Sequence, residues 1–133
     1  MRFTTRSEYG LLALIYLARH REKGYTPLAK IAKEQGIPFK YLEHLAVALS
    51  RGGYLSSSKG QHGGYRLARS PEKITLARVV RLLDGALAPS SSVSKYFYKP
   101  SPLEKEKKMI RLLREIRNYI SEKLEKVTLA DIC

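Results

Sequence analysis

Lys40, Tyr41, Glu43 and His44 fall within about one helical turn, and Lys59, Gln61 and His62 fall within the short stretch KGQHGG. Side chains of these types suit the edges and backbone of a nucleic acid. A lysine donates to guanine or to phosphate, whereas a carboxylate accepts from cytosine N4 and is repelled by phosphate. Glu43 on a surface facing DNA therefore implies contact with a base; away from DNA it is an ordinary solvated helix residue. Catalytic chemistry has less to work with. His20, His44 and His62 lie on three separate stretches, and no CxxC, HExxH, GxxxxGK or GxSxG pattern occurs. Glu43 and His44 are neighbours, but side chains of adjacent helical residues diverge by about 100°, which precludes an acid/base pair. No enzyme and no metal site are expected.

The elements that must position these residues can be read from their punctuation. Thr26 as an N-cap and Pro27 at the first helical position open a helix through Gln35, and Gly36 stops it. Pro38 opens a second helix, which Gly52 and Gly53 close. Two short helices around a glycine turn predict a helix-turn-helix. In the second helix, Phe39, Leu42, Leu45, Ala46 and Leu49 follow helical spacing and are expected to be buried. That leaves Lys40, Glu43, His44, Val47 and Arg51 outward and Tyr41 at the margin, with the N-terminal members best placed for base edges. Two short strands, Tyr54 to Ser58 and Tyr65 to Ala68, flank the glycine-rich tip and predict a β-hairpin wing.

Around this device, Thr5 and Glu8 form a capping-box pattern for a first helix ending near His20. Arg2, Arg6, Ser7 and Tyr9, close to that helix start, are secondary phosphate candidates. Thr75 caps a helix over Leu76 to Leu83. Ala88 to Pro100, with its serines, prolines and the aromatic run Tyr96, Phe97 and Tyr98, has no helical period and reads as a loop suited to a small-molecule or protein effector. Ser101, Pro102 and Glu104 then predict the start of a helix of about 25 residues, roughly 37 Å long. Its stripe of Met109, Leu113, Ile116, Ile120 and Leu124 exceeds what so small a core needs, so packing against a second chain is expected. Thr128 and Asp131 look like the start of one more helical turn, left incomplete. The expected fold is mainly α with a small β-hairpin wing. Residues 1–85 form a winged helix-turn-helix unit, 86–101 an effector-type loop, and 102–133 a dimerisation helix and terminal turn, all within one structural unit.

Charge is placed accordingly. The formal net charge is +13, and residues 1–70 hold 12 Lys/Arg against 4 Asp/Glu, whereas residues 101–133 hold 8 against 6. Basicity concentrated on the helix-turn-helix fits phosphate contact better than general solubility. The single cysteine, Cys133, excludes a disulfide framework and fits a reducing, cytoplasmic setting. Basic residues precede the apolar run Leu11 to Ala18, as in a signal peptide. That run has only 8 residues and is followed by Arg19, His20 and Arg21, so neither export nor a membrane span is expected.

The opening MRFTTRSEYGLLAL, the central PLAKIAKEQGIPFKYLEHL, the wing segment GYLSSSKGQHGGYRLARSPEKITLARVVRLLDG and the terminal VTLADI together resemble the IscR/CymR/NsrR-type family of bacterial winged-helix transcription regulators over nearly the whole chain. The combination of YLE with the glycine wing carries most of the specificity. The resemblance implies a homodimer, most often a repressor, binding a palindromic operator in double-stranded DNA. It also implies long C-terminal helices that cross between subunits, and recognition residues at Lys40, Tyr41, Glu43 and Lys59. One departure stands out. Many members hold an iron-sulfur cluster on cysteines in the loop before the long helix; here Ser92 stands near one such position and Ser101 is a looser match to another. A serine hydroxyl is a poor substitute for thiolate at iron. The implied protein is therefore a cluster-free member with no cofactor. The alternatives are an iron-sulfur sensor whose ligand cysteines have been replaced by serine, or a basic RNA-binding module using Tyr96, Phe97 and Tyr98 for stacking.

Overall fold

The computed structural model describes residues 3–133. In chain order the elements are α1 (Thr5–Arg19), α2 (Leu28–Gln35), α3 (Phe39–Arg51), a hairpin of β1 (Leu55–Ser58) and β2 (Gly64–Leu67), then α4 (Leu76–Asp84), α5 (Lys107–Lys126) and α6 (Leu129–Ile132). Short 3-10 turns lie at Arg21–Lys23, Pro71–Lys73, Ser91–Val93 and Pro102–Lys105. Arg2 falls outside the described residues. The mainly helical fold with a two-stranded antiparallel hairpin is as expected, with Leu55 opposite Leu67 and Ser58 opposite Gly64. No described helix is long and apolar enough to cross a membrane.

One core joins the helices. Leu14 of α1, Ile31 of α2, Leu45 of α3, Val79 of α4 and Leu129 of α6 are all fully buried in it. Removing apolar side chains of this size from water is the main force holding α2 and α3 at their angle. Gly36 makes the turn between them, adopting φ +68, the left-handed region that a side chain disfavours. Phe39, expected in the buried stripe of α3, is 45% exposed. It occupies the first helical position, and because helical side chains lean toward the N-terminus, it overhangs the edge of the core.

Two expected caps are replaced by longer-range contacts. The N-cap of α1 is Thr4, not Thr5; its backbone N–H donates to Asp84 at 3.0 Å and its hydroxyl also donates to Asp84 at the end of α4. Thr26 does not cap α2, which begins after Pro27; instead Thr26 is buried and pairs with Tyr65 of β2 through two backbone hydrogen bonds of 2.8 Å. Local sequence carries no signal for partners so distant. The Thr75 cap forms as expected, its hydroxyl accepting from Arg78 N.

The C-terminal third departs most from expectation. Ser101 and Pro102 open a separate 3-10 turn, and Glu104 accepts from the Tyr98 hydroxyl at 2.6 Å instead of reaching back to Ser101. The long helix α5 starts only at Lys107 and has 20 residues, about 30 Å. It docks on its own chain: Ile110 and Leu113 pack with Ala88 and Val93, and Ile120 and Leu124 pack against Ala77, Val80 and Leu87. The turn that looked incomplete closes as α6, with a full Thr128/Asp131 capping box. Leu129 N donates to Ile74 O at 2.8 Å, so the terminus returns to the helix-turn-helix core.

Candidate nucleic-acid interface

The outer face of α3 is open to solvent. Lys40, His44, Val47 and Arg51 are exposed, and Glu43 is partly so. Lys40 Nζ lies 3.8 Å from Glu43 Oε1, an (i, i+3) pair whose lysine is 91% exposed. Such a contact is worth a fraction of a kcal/mol and leaves both groups free to rearrange. Tyr41 is half-buried and packs edge-on against Tyr9 of α1, ring centroids 5.4 Å apart. This contact fixes the start of α3 relative to α1, and gives Tyr9 a packing role.

The wing tip carries Lys59, Gln61 and His62, all exposed. Its geometry rests on Gly64, whose φ is +144 and whose Cα lies against the backbone of Thr26; a Cβ there would run into the Thr26 carbonyl. That close approach permits the Thr26–Tyr65 bridge and sets the tip beside the start of α2. Arg66 is held over the Tyr25 ring at 4.6 Å, and Arg69 over Tyr54 at 5.3 Å. These cation–π contacts were not legible in advance, because each joins residues that meet only once the hairpin has formed.

Two secondary phosphate candidates are corrected by the structure. Ser7 is fully buried, beneath the Asp84 end of α4, and cannot reach a phosphate. Arg6 Nε donates to the Leu83 carbonyl at 3.0 Å, closing the C-terminal end of α4. Asp84 is desolvated, yet its carboxyl stays below the usual range because the Thr4 backbone N–H and hydroxyl donate to it and Arg6 lies near.

The two loop serines are engaged within the chain. Ser92 is 7% exposed and shares a 2.8 Å hydrogen bond with the Ser90 hydroxyl; Ser101 Oγ accepts from Leu103 N. No group of three His, Cys, Asp or Glu residues able to hold a metal occurs among the described residues. Cys133 is on α6's end, its thiol donating to Leu129 O. Hydrogen-bonded hydroxyls, that of Ser92 buried as well, do not fit an iron-sulfur cluster, whose irons take thiolate or imidazole. The aromatic run is exposed, but two of its members are held in place: Arg81 lies over the Tyr96 ring at 4.8 Å, and Tyr98 bonds to Glu104.

A glycine turn between two short helices, an open outer face on the second and a hairpin behind it define a winged-helix DNA-binding protein. The Rrf2 model, described as an iron-dependent transcriptional regulator, matches residues 3–133. CymR of Bacillus subtilis is 32% identical over 132 residues, spanning 99% of this chain and 89% of that one. The solved structure of that global cysteine regulator superposes with a TM-score of 0.78 at 30% identity, over 99% of this chain and 95% of the other. The solved T. potens IscR is similar with a TM-score of 0.72 at 31% identity, over 99% and 85%. The chain belongs to the Rrf2 family of DNA-binding transcriptional regulators, which are not enzymes.

Proposed function

We propose that the protein is a homodimeric, sequence-specific regulator, acting as a repressor at a palindromic operator and doing so without an iron-sulfur cluster. The observation that carries the DNA reading is the outer face of α3 standing open beside a wing pinned to α2 by the Thr26–Tyr65 bridge. In this reading Lys40, Tyr41, Glu43 and His44 meet base edges, Arg51 meets phosphate, and Lys59, Gln61 and His62 approach the adjacent minor groove.

Dimerisation is supported by a different subset of α5 from the one expected. Leu113, Ile120 and Leu124 are used within the chain, whereas Met109 and Ile116 are 42% and 39% exposed and form a stripe with Leu112 and Tyr119. A row of large apolar residues at spacings of three and four on one helix is the kind of surface that a second copy covers. Cluster-free status rests on the engaged hydroxyls of Ser92 and Ser101, so a signal would arrive as a small ligand or a protein at the loop between α4 and α5.

Selection of duplexes from a random library by the intact chain, followed by footprinting and sedimentation, tests this. Expected are an inverted repeat and two protomers per site, from protein that is colourless when purified without oxygen. Equal affinity for all sequences, one protomer per site, or stoichiometric iron with acid-labile sulfide would each overturn its part of the proposal.

A further inference from the structure

The turn between α1 and Thr26 lies against the wing and carries charge that neither the helix-turn-helix nor the wing tip accounts for. Arg21 and Lys23 are exposed in that turn, and Arg66 is exposed on β2. None of the three forms an ion pair among the described residues, where only Lys40–Glu43 and Arg81–Glu125 do so. Arg21 and Arg66 share the walls of an open cleft of about 310 Å³ with Ser56. Lys23 lines a second, of about 430 Å³, with Tyr25, Gln61 and His62 of the wing tip. The two clefts follow one side of the hairpin from its tip toward its base.

This surface is also built to stay in place. The Thr26–Tyr65 bridge joins the turn segment to β2, and the Tyr25 ring beneath Arg66 fixes the guanidinium while leaving it exposed. A stacked arginine loses less freedom when it binds an anion than a free one. Two carboxylates oppose the charge. Glu22 is exposed in the same turn; Glu34 is held below the usual carboxylate range chiefly by the Tyr16 hydroxyl, and further by Lys30, His20 and Lys23. Arg19, Arg21, Lys23, Lys30 and Arg66 outnumber them.

We propose that Arg21, Lys23 and Arg66 form a second phosphate-contact surface, which holds the DNA backbone outside the half-site read by α3. The inference rests on the DNA-binding reading above and extends it. Duplex leaving the wing tip meets Lys23 first, then Arg66 and Arg21 along the hairpin flank, and each contact releases condensed counterions. Flanking DNA thereby adds affinity and salt dependence without adding base preference.

The test uses the tightest duplex selected by the intact chain, set in long flanks and then trimmed stepwise, with binding measured over a series of salt concentrations. Wild-type affinity and salt slope should fall as the flanks shorten. The R21Q/K23Q/R66Q variant on the long duplex should match the wild type on the short one, its slope lower by up to about 2.7 per protomer, with base preference unchanged. R21Q/K23Q, which keeps the Tyr25–Arg66 stack, should lower it by up to about 1.8. The charge-matched control K73Q/R78Q/K105Q should retain the dependence on flank length. Wild-type indifference to flanks, or variants that bind every duplex as the wild type does, would overturn the proposal; the second result would point to an acidic protein partner instead. Failure to select any preferred duplex would sink the regulator reading itself, and this surface with it.

Discussion

The helix-turn-helix with its wing and the C-terminal half leave opposite kinds of groups unsatisfied. On α3 and the hairpin, most apolar side chains are spent on the core, Phe39 and Val47 excepted, and Lys40, His44, Arg51, Lys59 and Arg66 project without a buried partner. On the loop and α5 the polar groups close on one another. Arg81 reaches Glu125 at 2.9 Å and Ser121 at 3.1 Å, and Arg117 donates to Val93 O at 2.9 Å, whereas Met109, Leu112, Ile116 and Tyr119 are exposed. One half is incomplete without an anion and the other without an apolar surface. Under the dimer reading proposed above, gripping DNA with two copies of the chain uses both kinds of incompleteness, kept on separate faces.

The contrast is broken most severely by charging the apolar face. Leu112→Glu with Ile116→Glu should leave each chain folded, because neither side chain is buried, yet yield monomers in sedimentation and a loss of operator affinity of at least about 100-fold, since linked binding of two half-sites disappears. Ile120→Glu should instead unfold the docking of α5 on α4, because Ile120 packs within the chain. A double variant that remains dimeric would mean the exposed stripe has another occupant.

Next in size is the backbone fit of the wing. Gly64→Ala places a Cβ against the Thr26 carbonyl at φ +144, at a cost of about 1–3 kcal/mol in urea unfolding. Gly60→Ala, where nothing lies within 4 Å of the added carbon, should cost less despite its own positive φ. Equal losses at the two glycines would show that the bridge to Thr26 does not set the wing. Glu43→Ala should then cost about 1–3 kcal/mol at one base position per half-site while barely altering the salt slope. Lys59→Ala should weaken binding to most sequences alike and lower that slope. Matching losses on random and selected duplexes for Glu43→Ala would rule out base reading by its carboxylate.

These two halves were unequally legible. The helix-turn-helix could be read because its signals are local: Gly36 must turn, Pro38 must start, and Leu42, Leu45, Ala46 and Leu49 recur at helical spacing. The wing followed from KGQHGG for the same reason. What escaped was every feature fixed by a distant partner. Thr4 at the start of α1 donates to Asp84 and Thr26 pairs with Tyr65, although a nearer residue offered a plausible local role each time; Glu104, only six residues from Tyr98, met it instead of Ser101. The division of α5 into an inward and an outward row was hidden too. Its apolar residues cover more than one stripe, and only the positions of the Ser91–Val93 turn and of α4 decide that Leu113 and Ile120 face inward while Leu112 and Ile116 do not.

The smallest effect expected is the share of the acid response that Glu125 contributes to the docking of α5 on α4, separate from the shares of Glu34 and Asp84. The Glu125 carboxyl is held below the usual carboxylate range, first by the hydrogen bond from Arg81 against the pull of burial, then by Ser121 and the charges of Arg81 and Lys95. A carboxylate with a lower pKa in the folded state binds protons less readily than in the unfolded chain. Its contribution is therefore complete above the unfolded pKa and is lost as pH falls through the folded one. Because the Glu125 side chain is 40% exposed, solvent screening keeps this contribution below about 1 kcal/mol. It should appear as a fall in amide protection factors in α5 on acidification, each rate being taken relative to the intrinsic rate at that pH, with no Glu125-dependent change in α3, since Arg81 on α4 loses its charged partner on α5 while the core under α3 is apolar. Glu125→Gln should remove the acid-dependent part of that loosening and leave α3 as it was. An unchanged acid profile in Glu125→Gln would assign the response to another carboxylate, and equal loosening of α3 would mean that the two halves open together.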